Sequence, residues 1–146
     1  MTHAPPVSSV WEDATAVSQC QLTPSPEAAR RARIFTRQAL ASWGLADLSD
    51  DAEVVVGELL ANAVRHTGLE TGPQERAAAF GLWLLRHPDG LMCVVTDPSD
   101  ATPTLRPPCS NAEGGRGLQV IHSLSDHWGW SPFGSHGKAV WAILFR

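Results

Sequence analysis

Residues 16–23 (Ala-Val-Ser-Gln-Cys-Gln-Leu-Thr) alternate apolar and polar, the period of a half-buried strand at a sheet edge. The period then becomes helical. Ala28, Ala32, Phe35, Ala39 and Trp43 share one stripe, Ser25-Pro26-Glu27 supplies an N-cap serine, a first-turn proline and an acid, and Gly44 supplies a stop. Arg30, Arg31, Arg33 and Arg37 lie off that stripe, as a solvated face or, less commonly, a partner-binding one. A second helix is expected from Asp50 to Gly68, with Asp50 and Glu53 patterned as a capping box. Its Ala52, Val55, Val56, Leu59, Leu60 and Ala63 define one buried face.

Residues 69–76 read as a polar loop. The apolar runs Ala78–Arg86 and Leu91–Asp97 flank the turn His87-Pro88-Asp89-Gly90, which predicts a hairpin. From Pro98 to Gly114 the chain carries four prolines and no period, and a structureless stretch of that length in a compact domain is usually functional, often a lid. Gly114-Gly115-Arg116-Gly117 then opens a short helix through Leu118, Val120, Ile121 and Leu124. Asp126–Ser131 and Lys138–Phe145 predict a closing hairpin. Residues 1–15 have no period and read as a flexible tail, leaving residues 16–146 as a single domain.

Composition narrows the function. A chain of 146 residues that is 43% hydrophobic and 18% charged can build a full core. It has no apolar run of the ~18 residues a membrane helix needs, and no signal peptide pattern at the start. A cytoplasmic protein without membrane contact is the expectation. A net charge of −4 gives no footprint for direct nucleic-acid binding. Cys20, Cys93 and Cys109 are odd in number and widely spaced, arguing against both a disulfide framework and a zinc site. His66, His122 and His127 with Cys109 lack metal-ligand spacing. The basic residues are ten arginines and one lysine, Lys138, which has neither the spacing nor the following hydroxyl of a P-loop. An early strand lysine of the protein-kinase type is also absent, as is a G-x-S-x-G elbow. The six tryptophans are expected mostly in the core, with Trp128 and Trp130 on one strand face that would be a docking site if open.

Three constellations could carry chemistry. Glu58 and Asn62 are four apart on the second helix and so neighbours on its surface. The amide can offer oxygen to a hard cation, and the carboxylate can orient water or take a proton. A solvated polar face is the plainer explanation of the pair alone. Asp97 ends an apolar strand, where it either starts a turn or accepts a hydrogen bond from a ligand amine. Gly114–Gly117 lets backbone approach phosphate oxygens at a helix N-terminus, or is an ordinary turn.

In this order, the three resemble the gyrase, chaperone, histidine-kinase and MutL (GHKL) ATPase superfamily. The similarity is greatest to its small anti-sigma-factor serine-kinase branch of actinobacterial type. The most specific phrases are Gly57-Glu58-Leu59-Leu60-Ala61-Asn62-Ala63-Val64-Arg65-His66 and Gly114-Gly115-Arg116-Gly117-Leu118, with Gly137-Lys138-Ala139-Val140-Trp141 also similar. The resemblance runs from about Ala16 to the C-terminus. It implies a Bergerat-type ATP-binding fold: a two-layer α/β sandwich with helices on one face of a mixed, mostly antiparallel sheet.

It further implies ATP and Mg2+ as cofactors. Asn62 would bind the magnesium, Glu58 would be the general base, and Asp97 would receive the adenine amine. Gly115, Arg116, Gly117 and Leu118 would form the phosphate turn, with Pro98–Gly114 as lid. The implied role is phosphorylation of a serine or threonine on an anti-sigma-factor antagonist by a protein that also holds a sigma factor, possible as a homodimer. The alternative is a catalytically weak nucleotide-binding module acting through protein contacts. Two departures stand out: the superfamily's Asp-x-Gly-x-Gly is Asp97-Pro98-Ser99-Asp100-Ala101, and Ala139 stands where a threonine is often found.

Overall fold

A computed structural model describes residues 14–23, 25–67, 80–97, 121–132 and 137–146, with backbone only at 65–67. Strand β1 (Ala16–Leu22) leads into helix α1 (Ala28–Ser42), a single 3-10 turn at Ala46–Leu48 and helix α2 (Ser49–Thr67). Strands β2 (Phe80–His87) and β3 (Gly90–Asp97) form a hairpin; a helical turn over residues 121–124 precedes β4 (His127–Pro132) and β5 (Lys138–Phe145). The strand order is β1-β2-β3-β5-β4.

This is the expected two-layer sandwich, with one refinement. All four pairings among the described residues are antiparallel, so the expected parallel component is not found there. β3 and β4 do run in the same direction, but β5 inserts between them and pairs with both. Period-two alternation sends Leu82 and Leu84 of β2, Cys93 and Val95 of β3, and Val140, Ala142 and Leu144 of β5 toward the helices. There they meet Ala52, Val55, Val56, Leu59, Leu60 and Ala63, each at most 2% exposed, which is the expected face of α2. The opposite sheet face carries a second buried cluster of Leu85, Met92, Val94, Ala139, Trp141 and Ile143, with Ala14 and Trp83 packed against it.

Helix ends show where local signals prevail and where tertiary partners override them. Gly44 has φ 72°, Leu45 N–H donates to Leu40 C=O (2.8 Å) and Gly44 N–H to Ala41 C=O (3.4 Å). That pair of bonds is a Schellman ending, with Leu40 and Leu45 both buried behind it. The start of α1 differs from expectation: Glu27 occupies the cap position without a side-chain cap bond, and Ser25 contributes only its carbonyl, to Ala28 N–H. The capping box at Asp50 also fails, because Glu53 is engaged elsewhere. Glu53 accepts from Arg37 of α1 at 2.7 Å and from Ser49 Oγ at 2.7 Å, clamping the two helices together. The Arg37 hydrogen bond holds the Glu53 carboxyl below the usual carboxylate range, against the opposing effect of partial burial.

The tryptophans are less buried than composition suggests. Trp141 is 3% exposed, whereas Trp43, Trp83, Trp128 and Trp130 are half-buried, and Trp11 lies outside the described residues. Trp128 and Trp130 share a strand face as expected, but that face packs onto the helix-side core. Of the tail read over residues 1–15, only Ala14 and Thr15 are described, and Thr15 N–H donates to Arg86 C=O at 2.7 Å. No described helix is long and apolar enough to cross a membrane.

Two glycines carry different constraints. At Gly44 the left-handed backbone is the constraint, since a Cβ there would meet open space. At Gly90 a Cβ would overlap the Leu144 carbonyl oxygen of the neighbouring strand. Gly44→Ala is therefore expected to cost about 1–2 kcal/mol, which Gly44→Asn largely recovers. Gly90→Ala is expected to cost about 1–3 kcal/mol with no recovery by asparagine, because the strain is steric. Urea unfolding midpoints of the four variants check the contrast.

Candidate functional site

The same packing that fixes α2 places its off-stripe residues. Asn62 lies to one side of the apolar stripe, yet it is 1% exposed, and Glu58, one turn earlier, is half-buried. The solvated-face explanation therefore does not hold for Asn62. Both its Oδ1 and Nδ2 are buried without a hydrogen-bond partner among the described residues. Each such orphan costs about 1–3 kcal/mol of unrecovered desolvation. An amide oxygen held ready in this way suits a hard cation such as Mg2+, which typically takes one or two protein ligands and completes its shell with phosphate and water.

Asp97 ends β3 on the helix-facing side, in the same alternation as Cys93 and Val95, and its side chain is 1% exposed. It does not merely start a turn. Lys138, at the first position of β5 and its direct cross-strand partner, donates from Nζ to Asp97 Oδ1 at 3.1 Å. The lysine side chain is also 1% exposed. α2, which bears Glu58 and Asn62, packs against both β3 and β5. Ala139 faces the other way, into the second cluster. The position where a threonine was noted as missing thus points away from Asp97, and Lys138 occupies the helix-facing place beside it.

Lys138 was not among the residues singled out for the site. No local pattern marks it; only the register shows a lysine opening the last strand opposite an acid closing a core strand. Gly115, Arg116, Gly117 and Leu118 lie outside the described residues, as does the Pro98–Gly114 lid; Ile121 in the helical turn that follows is fully buried. Cys93 lies on the helix-facing side of β3, but burial pushes its thiol up to about 12, which leaves it an inert hydrophobe. The described residues contain no cluster of three or more metal-ligating His, Cys, Asp or Glu side chains.

Residues 22–144 match the histidine kinase-like ATPase domain. The chain belongs to that family. The GHKL resemblance read from the sequence is thereby borne out for the domain. No curated protein matches the chain in sequence. Among solved structures, a chain of the SiaB-SiaC complex from Pseudomonas aeruginosa is similar, with a TM-score of 0.67 at 14% identity over 94% of this chain and 93% of that one. At that identity the likeness speaks for the fold.

The orphaned Asn62 gives a stability prediction that separates a ligand-ready amide from a structural one. Asn62→Leu keeps the branched side-chain shape and removes two polar atoms unpaired among the described residues, so without nucleotide the variant is expected to be as stable as the parent or up to about 2 kcal/mol more stable. Urea unfolding checks this, and a loss of stability on that scale would make Asn62 structural.

Proposed function

We propose that this protein is a Mg-ATP-binding regulator that phosphorylates a serine or threonine of an antagonist protein in a partner-switching circuit controlling a sigma factor. The observation that carries the reading is Asn62: an amide 1% exposed, with neither polar atom paired among the described residues, in a histidine kinase-like ATPase domain. The similar solved chain comes from a two-protein complex, which supports a protein partner for this one.

Each residue has a definite task in this reading. Asn62 would hold the magnesium ion, which would supply charge neutralisation at the triphosphate. Asp97 accepts a hydrogen bond from the adenine exocyclic amine, where guanine offers a carbonyl. Gly115 and Gly117 give backbone N–H groups to phosphate oxygens, with Arg116 and Leu118 completing the turn. Glu58 takes the proton of the attacking hydroxyl as that oxygen bonds to the γ-phosphorus. The bond from the γ-phosphorus to the β–γ bridging oxygen breaks, and ADP leaves. Phosphoryl transfer asks mainly for positioning and charge neutralisation, which this set supplies without a P-loop lysine.

A second reading, a nucleotide-binding module with little transfer activity, is favoured by one feature. Asp97-Pro98-Ser99-Asp100-Ala101 lacks both glycines of Asp-x-Gly-x-Gly, and Asp100 adds a negative charge three residues beyond Asp97 that would repel phosphate if it faced the site. Incubation with labelled ATP and candidate antagonist proteins, followed by phosphoserine and phosphothreonine analysis, separates the two.

Two variants on α2 divide binding from chemistry. Asn62→Ala is expected to weaken Mg-ATP binding at least tenfold by calorimetry. Glu58→Ala is expected to leave affinity within a few-fold and to slow transfer by roughly 10²–10⁴, the usual contribution of a general base. Equal loss of nucleotide in both would make Glu58 structural. Wild-type protein is expected to prefer ATP to GTP, and equal affinity would remove Asp97 as the adenine reader.

A further inference from the structure

β2, β3 and β5 carry buried apolar side chains on both faces of the sheet. On the side away from the helices, the register builds one row from Val17, Leu85, Met92 and Ile143, and a second from Gln19, Trp83, Val94 and Trp141. A sheet face left to water turns polar residues outward, as β1 does with the exposed Gln19 and Gln21. Exposure changes sharply along the first row: Val17 is 52% exposed, whereas Leu85 and Met92 are 0%. Whatever covers this face therefore lies over β2, β3 and β5 and stops short of β1. It belongs to this chain, because a single copy already buries these residues. No residue of either helix is in the cluster, and the described hydrophobic side chains packed against it are Ala14 and Trp83.

Chain connectivity narrows the choice of segment. Leu22, Phe80, Asp97, Pro132 and Lys138 mark one end of the sheet. The internal stretches outside the described residues all attach at that end: residue 24 beyond Leu22, 68–79 at Phe80, 98–120 at Asp97 and 133–136 after Pro132. The two longest have their other ends on the helix side, at Thr67 of α2 and at Ile121 in the helix-side core. Leu85, Met92 and Ile143 lie toward the opposite end, where Thr15 bonds Arg86 and Ala14 already rests on the cluster. Residues 1–13 attach there, and they precede the 22–144 stretch matched by the ATPase family. We propose that residues 1–13 are a tethered cover that docks Val10 and Trp11 on the outer sheet face, over Met92, Val94, Trp141 and Ile143. Extended, that segment reaches about 40 Å, whereas three strand spacings, from β1 to β5, take about 15 Å. The stretch without a period is thus an anchored strap and not a loose tail. This assignment is independent of the nucleotide reading.

Met92 and Cys93 are adjacent on β3, both 0% exposed and directed to opposite faces, so they report separately on the cover and on the helix side. The test variant is the full chain carrying Val10→Gln and Trp11→Gln. It is treated with dilute hydrogen peroxide for Met92 and with iodoacetamide for Cys93, each read by peptide mass spectrometry. The expected result is Met92 oxidation at least tenfold faster than in wild type while Cys93 stays protected. An unchanged Met92 rate with Cys93 protected overturns the proposal. A variant in which both residues react has lost its fold, and the wild-type chain then decides. An NOE from the Trp11 indole protons to the Met92 methyl supports the cover, and its absence overturns it. Mixing 13C-labelled with unlabelled chains identifies the occupant: a contact found only between copies assigns the face to a second copy and overturns the proposal.

Discussion

One stripe on α2 anchors the candidate site. Ala52, Val55, Val56, Leu59, Leu60 and Ala63 are closed off from water between the sheet and the rest of the core. Rotating the helix would expose several of them at once, at roughly 25 cal/mol per Å2 of apolar surface. The Arg37–Glu53 clamp adds a directional contact between α1 and α2. With rotation blocked, Asn62 and Glu58 are fixed relative to the ends of β3 and β5. A site held on a helix and two central strands is more precise than one held on loops, which is what phosphoryl chemistry asks of a scaffold.

The parts of this fold that were legible in the sequence are those with a strong local period. Helix α2, the β2–β3 hairpin and the span of β5 follow directly from runs of apolar spacing, and the end of α1 from Gly44. The rest depends on contacts that local pattern does not reveal. Ser25 and Asp50 were read by their neighbours in sequence, yet Glu53 pairs with Arg37 sixteen residues away. The strand order was hidden because no local pattern says that β5 inserts between β3 and β4. Lys138 was hidden for the same reason. A lysine at a strand start looks like any surface lysine until the register sets it opposite Asp97.

The buried polar side chains also sort by how they are satisfied. Thr36 is fully buried, but its hydroxyl donates to Ala32 C=O within its own helix at 2.8 Å, a local solution that needs no ligand. Cys93 behaves as a small hydrophobe. Asp97 and Lys138 share a charge pair, and Asn62 has no partner among the described residues. The first two would be neutral in any fold of this kind. The last three are costs that packing alone does not explain, and they occur in the two facing layers of one sandwich. Natural cores violate polar satisfaction mainly where a ligand later restores it.

The choice between kinase and binding module then turns on what each needs from those costs. Both need Asn62 and Asp97, because both bind nucleotide; neither residue discriminates. Glu58 is different: a module gains nothing from a carboxylate beside a triphosphate, which only adds repulsion. Its half-buried position one turn from Asn62 is of use if a proton must be taken from an attacking hydroxyl. Asp100, three residues beyond Asp97 in sequence, weighs the other way. Glu58 is carried on the helix whose rotation the core forbids, and a charge held in place beside a triphosphate must be compensated by use. Glu58 therefore favours the enzyme reading.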